Sequence, residues 1–298
     1  MGFMRGSFVS RLKGLLRRRA RRERMVAGAQ GLAAVGIEVG RDWANRVLGL
    51  YGRMPSWVIG AVPPPDGMFL YSIVRGSEAR RVAEVGVASG VSSAMILAAV
   101  RDGGGELSGE SGEEALRSYD VSDRCYFDES RRVGEAAPEM FPELTRSWVL
   151  RTGCDAVDAS GEIGEGSLDV AFIDGDHRHP WVVIDVLALL GAMREGGWLV
   201  LHDVRLEETA AARAARTGEQ IDWGYRGARL VYEAWPGPKA TAGKFGNIGA
   251  LRVGGREDRE SARDMLMALI RDESWEGDVE KSARRALDRL GVGLGSAG

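Results

Sequence analysis

The sequence has little cysteine and no long apolar run. Its 298 residues include two cysteines, Cys125 and Cys154, which are too few for a disulfide framework and are not spaced like the ligands of a metal finger. We expect both to be free thiols. No run of about 18 apolar residues is present for a membrane span, and the N-terminus lacks the apolar stretch of a secretory signal. We therefore expect a cytoplasmic protein.

Negative charge prevails outside a basic N-terminal segment. The chain has 40 Lys and Arg and 43 Asp and Glu residues; nine of the basic residues and one of the acidic residues lie in positions 1–24, so the rest carries a net charge of −11. Because nucleic-acid phosphates attract Lys and Arg, we expect no specific nucleic-acid partner. Residues 1–25 form a basic arm that could lie on a membrane surface, contact a partner or stay solvated.

The order of predicted elements indicates an α/β fold. Strands are predicted at 81–87, 116–121, 147–152, 168–174, 198–201 and 247–253, with helices at 92–100, 128–140, 181–193 and 207–216. This alternation predicts a Rossmann-like, doubly wound and mostly parallel sheet, whose ligands bind at the carboxyl ends of the strands. The predicted domain spans residues 77–255. A helical lead-in at 26–76 precedes it, and helices with a flexible tail at 256–298 follow it.

The first strand runs into a turn of small residues, Glu84 to Gly90 (EVGVASG). Gly86, Ala88 and Gly90 let the backbone pass close to a ligand and open a helix whose N–H groups point at it. Dinucleotide-binding domains share such turns. Glu84 at the strand tip would repel a pyrophosphate but could hold the cationic end of S-adenosylmethionine (SAM), which carries a sulfonium and an ammonium.

These residues resemble motif I of class I SAM-dependent methyltransferases, with Ala88 in place of the middle glycine. The resemblance implies that Asp120, at the end of the second strand, accepts hydrogen bonds from the ribose hydroxyls, and that Asp155 accepts one from the adenine amine. Asp120 follows Gly86 by 34 residues, more than the roughly 20 typical of such folds, and the loop at 102–114 accounts for the excess. Asp123 is an alternative to Asp120.

Histidine is rare, and its positions are clustered. All three histidines lie within 26 residues: His177, His179 and His202. Two predicted strands end in Asp174-Gly175-Asp176-His177 and in His202-Asp203, so their tips can converge. Asp174, His202 and Asp203 are of the types that divalent cations bind, and Mg²⁺ prefers carboxylates. A cation on a hydroxyl lowers the pKa of that hydroxyl, and Asp176 or His177 could accept its proton.

Residues 171–204 (AFIDGDHRHPWVVIDVLALLGAMREGGWLVLHDV) closely resemble a bacterial methyltransferase family that includes metal-dependent sugar and antibiotic O-methyltransferases, such as the macrocin and aminocoumarin enzymes. The likeness extends over about residues 64–253. It implies that Asp174 and Asp203 bind a metal and that Asp176 is the general base. Metal-binding members often have two consecutive acids at the second site. Here the first of those positions is His202, which could be a ligand, a group behind the ligands or a base.

We therefore predict a SAM-dependent O-methyltransferase that uses Mg²⁺ or another divalent cation. Its acceptor would be a hydroxyl of a sugar, a glycan or a small natural product, and we expect a homo-oligomer. One alternative is a metal-independent small-molecule methyltransferase. A second is an NAD(P)-dependent Rossmann oxidoreductase, against which Glu84 and the missing middle glycine count. A third is a non-catalytic scaffold that uses the basic arm.

Overall fold

The computed structural model describes residues 19–105, 114–219, 223–243, 246–271 and 277–292. Within these ranges the strands are β1 (Val82–Val85), β2 (Leu116–Asp120), β3 (Arg124–Cys125), β4 (Asp128–Arg132), β5 (Trp148–Thr152), β6 (Leu168–Ile173), β7 (Met193–His202), β8 (Lys239–Thr241) and β9 (Ile248–Arg252). The helices are α1 (19–29), α2 (Arg41–Tyr51), α3 (Pro64–Gly76), α4 (Val91–Asp102), α5 (Ala136–Met140), α6 (Ala156–Glu162), α7 (Trp181–Leu190), α8 (Leu206–Thr217), α9 (Gly227–Ala234), α10 (Arg256–Arg271) and α11 (Gly277–Arg289).

One sheet of seven strands organises the described residues, in the order β5-β2-β1-β6-β7-β9-β8. Neighbours from β5 to β7 pair in parallel, and β9 runs antiparallel to β7 and to β8. The chain moves outward from β1 through β2 to β5, and then returns to the other side of β1 at β6. Connections therefore diverge between the carboxyl ends of β1 and β6, which is where such sheets bind ligands. The predicted fold class is confirmed.

Apolar side chains bury both faces of the sheet. The first face packs against α2, α3 and α4, and the second packs against α7, α9, α10 and α11. In β7, Trp198 to Leu201 is buried at every position, as expected of a strand covered on both sides. The sheet is thus a fixed support for the polar residues at its strand ends.

The predicted helix at 128–140 is wrong. The first five residues of this region form β4, which pairs with β3 in an antiparallel hairpin, and only the last five, α5, are helical. The Asp128 Oδ1 atom accepts hydrogen bonds from the Ser130 N–H at 3.0 Å and from its hydroxyl at 2.6 Å, and such local bonds compete with helix formation. Gly134 then adopts a positive φ of 81°, which interrupts a helix. Strand β8 and helix α6 were not predicted.

The lead-in and the C-terminal additions are helical where they are described. Helices α1 to α3 precede β1, and α10 and α11 follow β9. Residues 1–18 of the predicted basic arm lie outside the described residues, as do 293–298 of the predicted flexible tail. Among the described helices, none combines the length and apolar character needed to cross a membrane.

Candidate active site

The turn after β1 is locked against its neighbours. Gly86 and Gly90 have φ of 85° and 89°, values that L side chains rarely adopt. A Cβ at Gly86 would collide with the carbonyl oxygen of Asp174, and a Cβ at Gly90 would lie 2.8 Å from the backbone of Gly134. Ala88 also has a positive φ, 46°. The turn therefore packs at Gly86 against the carboxyl end of β6 and at Gly90, the residue before α4, against Gly134, with glycine required at both close contacts.

Asp120, at the end of β2, holds this turn from the side. Its Oδ2 atom accepts hydrogen bonds from the Val87 N–H at 2.9 Å and from the Ala88 N–H at 3.1 Å. The alternative residue, Asp123, has a 77% exposed side chain beside Arg124. Asp120 thus lies next to the cofactor turn, as expected, and its bond to ribose stays a prediction.

Glu84 lies behind the turn and has no exposed surface. Its carboxylate accepts hydrogen bonds from the hydroxyls of Ser92, Ser93 and Ser118, each at 2.6 Å. Burial raises the pKa of Glu84 to about 7, although the three hydroxyls act in the opposite direction. Both carboxylate oxygens are engaged, so the structure gives Glu84 a role in joining β1, β2 and α4 and no direct contact with the cleft.

Asp155 caps a helix. Its Oδ1 atom accepts a hydrogen bond from the Asp158 N–H at 2.9 Å, and Asp158 returns the contact to the Asp155 N–H. Asp155 also accepts a bond from Arg289 of α11 at 2.8 Å. Burial would raise its pKa, but Arg289 and the helix N-terminus outweigh burial and lower it. One carboxylate oxygen of Asp155 thus accepts from the Asp158 N–H and the other from Arg289, which does not favour the predicted adenine contact.

Three side chains converge at the ends of β6 and β7. Asp174, His177 and Asp203 each offer one ligand atom, and these atoms lie within 4.8 Å of one another. His177 Nε2 is 3.1 Å from Asp203 Oδ2. The three side chains are 19%, 27% and 14% exposed, so each is partly accessible to solvent. The two predicted aspartates are brought together as expected. His177 lies beside Asp203, and His202 Nδ1 lies 2.9 Å from Asp174 Oδ1 and 3.6 Å from Asp203 Oδ1.

His202 lies behind this group. Its Nδ1 atom is 2.9 Å from Asp174 Oδ1, and its Nε2 atom is 3.3 Å from Asp66 Oδ2. Burial alone would lower the pKa of His202, but the surrounding carboxylates outweigh it and hold that pKa well above the usual value. Both ring nitrogens of His202 therefore face carboxylate oxygens, and His202 links Asp174 to Asp66. Its role as a metal ligand stays a prediction.

Asp203 occupies a strained backbone position. Its φ is +60°, which is uncommon for a residue other than glycine and is found preferentially at functional sites. The Asn247 side-chain amide donates to Asp203 Oδ1, and the Asn247 N–H donates to Asp66 Oδ1 at 2.7 Å. Burial raises the pKa of Asp203, while His202 and His177 act against it. Asn247 thus fixes two of the site's carboxylates at once.

Asp176 faces an arginine. Its Oδ1 atom accepts hydrogen bonds from the Arg178 N–H at 3.0 Å and from Arg178 Nε at 2.9 Å, and its Oδ2 atom contacts the same guanidinium. Burial would raise the pKa of Asp176, but Arg178 outweighs burial and lowers it. A lowered pKa weakens a general base. His179 is buried and lies outside the group formed by Asp174, His177 and Asp203.

Sequence reasoning missed two residues of this network, Asp66 and Asn247. Asp66 follows three consecutive prolines in the first turn of α3, and the sequence offered only its acidity as a signal. It is 1% exposed, which an acid at a helix start would not ordinarily be. Asn247 directly precedes β9. It is a polar residue at a strand end, as Asp174 and Asp203 are, and this position was the available signal.

Comparisons with known proteins agree with this arrangement. A family model described as a methyltransferase domain matches residues 83–204, which run from β1 to the residue after Asp203. An inferred O-methyltransferase of Mycobacterium sp. (strain JLS) is 32% identical over 178 residues, covering 58% of this chain and 70% of that protein. One from Mycobacterium ulcerans (strain Agy99) is 30% identical, covering 59% and 70%.

Among solved structures, the O-methyltransferase from Bacillus cereus in complex with SAH matches with a TM-score of 0.44 and 19% identity, covering 75% of this chain and 96% of that one. The assignment rests on the sequence relatives, on the family model and on the strand order with its single reversed strand, β9. The chain belongs to the class I SAM-dependent O-methyltransferases.

Proposed function

We propose that this enzyme methylates a hydroxyl oxygen of a small molecule, sugar or glycan with the help of a divalent cation. The observation that carries the proposal is the convergence of Asp174, His177 and Asp203, whose ligand atoms lie within 4.8 Å of one another. This group is partly exposed and lies at the ends of β6 and β7, beside the divergence point of the sheet. Two carboxylates and one imidazole form a donor set that Mg²⁺, Mn²⁺ or a related cation accepts.

The residues around the turn fit a methyl donor. When bound, SAM supplies a methyl group on a cationic sulfur. An oxygen nucleophile attacks the methyl carbon in line with the carbon–sulfur bond, and the sulfur leaves as S-adenosylhomocysteine (SAH). Gly86 and Gly90 keep the turn free of side chains, and Gly86 packs directly on the backbone of Asp174. The turn and the carboxylate group are therefore adjacent. The protein can hold the acceptor oxygen and the donor methyl close together, and such orientation supplies much of the rate in a displacement of this kind.

The residues at the ends of β6 and β7 fit a cation. Asp174, His177 and Asp203 would hold it, and the cation would lower the pKa of the acceptor hydroxyl. Asp66, His202 and Asn247 would keep the two aspartates in position from behind. Groups behind the ligands of a metal site commonly fix the orientation of those ligands.

Two residues compete for the acceptor's proton. The Arg178 guanidinium holds Asp176 ionised, so Asp176 is a weak base. His177 Nε2 faces Asp203 Oδ2 at 3.1 Å, and histidine is the side chain that most often serves as a general base. The nitrogen that faces Asp203 binds either a cation or a proton. The role of His177 as a ligand and its role as a base are therefore alternatives, which differ in their dependence on metal.

The test is transfer of a labelled methyl group from SAM to two acceptors, catechol and methyl β-D-glucopyranoside, before and after EDTA treatment. The proposal predicts activity that EDTA removes and Mg²⁺ or Mn²⁺ restores. Activity that is indifferent to EDTA would favour His177 as base without a metal and would end the cation assignment. Calorimetry with SAM and with NADH provides the control, because tight binding of NADH alone would contradict methyl transfer altogether.

A further inference from the structure

Helix α7 carries a single charged residue. Nine of its ten residues (WVVIDVLALL) are apolar, eight of these are buried, and the tenth is Asp185. An acid in such a helix is costly to bury without a partner. Within the described part of the chain, no side chain or backbone N–H donates to the Asp185 carboxyl group. The residue is partly exposed, so a ligand can reach it and supply that partner.

Gly175 connects Asp185 to the turn after β1. A Cβ at Gly175 would lie 3.6 Å from Asp185 Oδ2 and 3.6 Å from Val85 Cγ1. A Cβ at Gly86 would lie 2.6 Å from the Gly175 nitrogen, and the Asp174 N–H donates to the Val85 carbonyl at 2.8 Å. The Asp185 carboxyl group therefore lies beside the backbone where the tips of β1 and β6 meet the turn. This is the divergence point of the sheet, at which such folds bind their ligands.

Asp185 approaches this point from one side of the sheet, and the proposed cation group lies toward the other. Val85 and the apolar residues of α7 belong to the core of the second face. Asp174 is joined through His202 to Asp66 of α3, and α3 packs on the first face. A cofactor that crosses the sheet edge can therefore contact Asp185 without occupying the space at Asp174. Asp185 is thus separate from the proposed cation site.

The surroundings of Asp185 favour its un-ionised form. Burial raises the pKa of Asp185 to about 8, and the negative charges of Asp155 and Asp176 add to that rise. These two neighbours are themselves paired, Asp155 with Arg289 of α11 at 2.8 Å and Asp176 with Arg178 at 2.9 Å. At pH 7 most Asp185 side chains are therefore protonated. A protonated carboxyl group presents one O–H donor beside one acceptor oxygen.

We propose that Asp185 recognises the adenine of the cofactor, with its O–H donating to a ring nitrogen and its carbonyl oxygen accepting from the exocyclic amine. An asparagine amide makes the equivalent two-bond contact with adenine, because it also presents a donor beside an acceptor. Sequence reasoning gave this role to Asp155, whose oxygens accept from the Asp158 N–H and from Arg289. The inference concerns the cofactor alone and does not depend on the proposed cation.

Calorimetry at pH 7 with two ligands tests the proposal: SAH, and the SAH analogue in which unsubstituted purine replaces adenine and the exocyclic amine is missing. We expect the wild type to prefer SAH by at least about fivefold, because the analogue leaves the Asp185 carbonyl oxygen without a donor. Asp185→Ala should reduce this preference to about twofold or less, while Asp185→Asn keeps a donor and an acceptor and should retain it. Asp155→Asn should retain it too, and Glu165→Gln, at an exposed acid before β6, is the control.

The charge state gives a second readout. Ionised Asp185 has no O–H to donate, whereas the amide of Asp185→Asn does not titrate. The SAH affinity of the wild type relative to Asp185→Asn should therefore fall as the pH rises from 7 to 9. Titration of the ligand's own ammonium group affects both proteins equally and cancels in this ratio. A ratio of affinities that is independent of pH would overturn recognition by a protonated Asp185.

The preference between two ligands is measured on one protein sample, so a variant that is partly unfolded weakens both affinities and leaves the preference unchanged. Loss of the preference in Asp185→Ala together with its retention in Asp185→Asn supports the inference. A preference that survives in Asp185→Ala, or that is lost only in Asp155→Asn, assigns the amine to another residue and overturns it. Equal weakening of both ligands in Asp185→Ala and Asp185→Asn would give Asp185 a contact with the ammonium group or a structural role, and would overturn it as well.

Discussion

The Nε2 atom of His202 lies 3.3 Å from Oδ2 of Asp66, although the two residues are 136 positions apart in the chain. Asp66 comes from α3, ahead of the first strand, and His202 is the last residue of β7. The other ring nitrogen of His202 reaches Asp174 at 2.9 Å. One imidazole therefore couples the lead-in helix to a partly exposed carboxylate of the candidate site. The helical lead-in is thus joined to that site.

Replacing Asp66 tests this coupling. Asp66→Asn keeps the shape of the side chain but removes a buried charge that faces His202. We expect the free energy of unfolding to fall by about 1–3 kcal/mol and kcat to fall by about tenfold, because Asp174 loses its fixed orientation. The KM for SAM should change little. Urea unfolding and steady-state kinetics measure these quantities, and Asp42→Asn, at an exposed site in α2, is the control. A variant as stable and active as the wild type would contradict the coupling.

Glu84 predicts a specific pH dependence of stability. Burial raises its pKa from 4.5 to about 7 in the folded protein. Between these values the folded state binds more protons than the unfolded state, so the contribution of Glu84 to stability is lost as the pH rises through about 7. Glu84→Gln does not titrate. Its stability relative to the wild type should therefore increase by about 3 kcal/mol between pH 4.5 and pH 8. Urea unfolding at four pH values tests this, and a stability difference that is independent of pH would refute it.

The tight turn makes a prediction about the cofactor. Gly86→Ala places a Cβ where the Asp174 carbonyl stands, at a backbone φ of 85°. We expect SAM binding to weaken by about tenfold or more, together with a loss of stability of about 1–3 kcal/mol. Gly161→Ala in α6 has open space around the new methyl group and should keep SAM affinity with unchanged or slightly raised stability. Calorimetry and thermal unfolding of both variants make the comparison, and equal SAM affinities would show that the turn does not touch the cofactor.

The two residues that could accept the proton also differ in a measurable way. Because Arg178 holds Asp176 ionised, we expect Asp176→Asn to reduce kcat less than about tenfold. His177→Ala should reduce it by about a hundredfold or more, whether His177 is a ligand or a base. The larger loss in Asp176→Asn would restore Asp176 as the general base that the sequence had predicted.

Local sequence patterns were enough to predict that the two strand-end aspartates meet and that the turn after β1 is tight. Asp174 and Asp203 each end or follow a buried apolar strand, and parallel strands place their carboxyl ends at one edge. Gly86 and Gly90 were predicted from the need for a close approach of backbone, and the structure shows positive φ at both. These features depend on neighbours in sequence or on the regular geometry of a sheet.

The remaining features depend on packing between distant segments. The bond from the Asn247 N–H to Asp66 spans 181 positions, and no local pattern indicates that an acid at the start of α3 is buried there. His202 was predicted as a ligand from its place at the end of β7, next to Asp203, and no local pattern indicated that its other ring nitrogen faces Asp66. Strand β4 was predicted as the start of a helix, because the hydrogen bonds of the Asp128 side chain to Ser130 leave no periodic signal in the sequence.

Binding of Mn²⁺ followed by electron paramagnetic resonance tests the central claim most directly, because it requires no acceptor. The account predicts one Mn²⁺ per chain in the wild type. It predicts affinities reduced at least about tenfold in Asp174→Asn, Asp203→Asn and His177→Ala, with Asp123→Asn unchanged as the exposed control. Absence of bound Mn²⁺ in the wild type, or the same affinity in all four variants, would contradict a cation site formed by Asp174, His177 and Asp203.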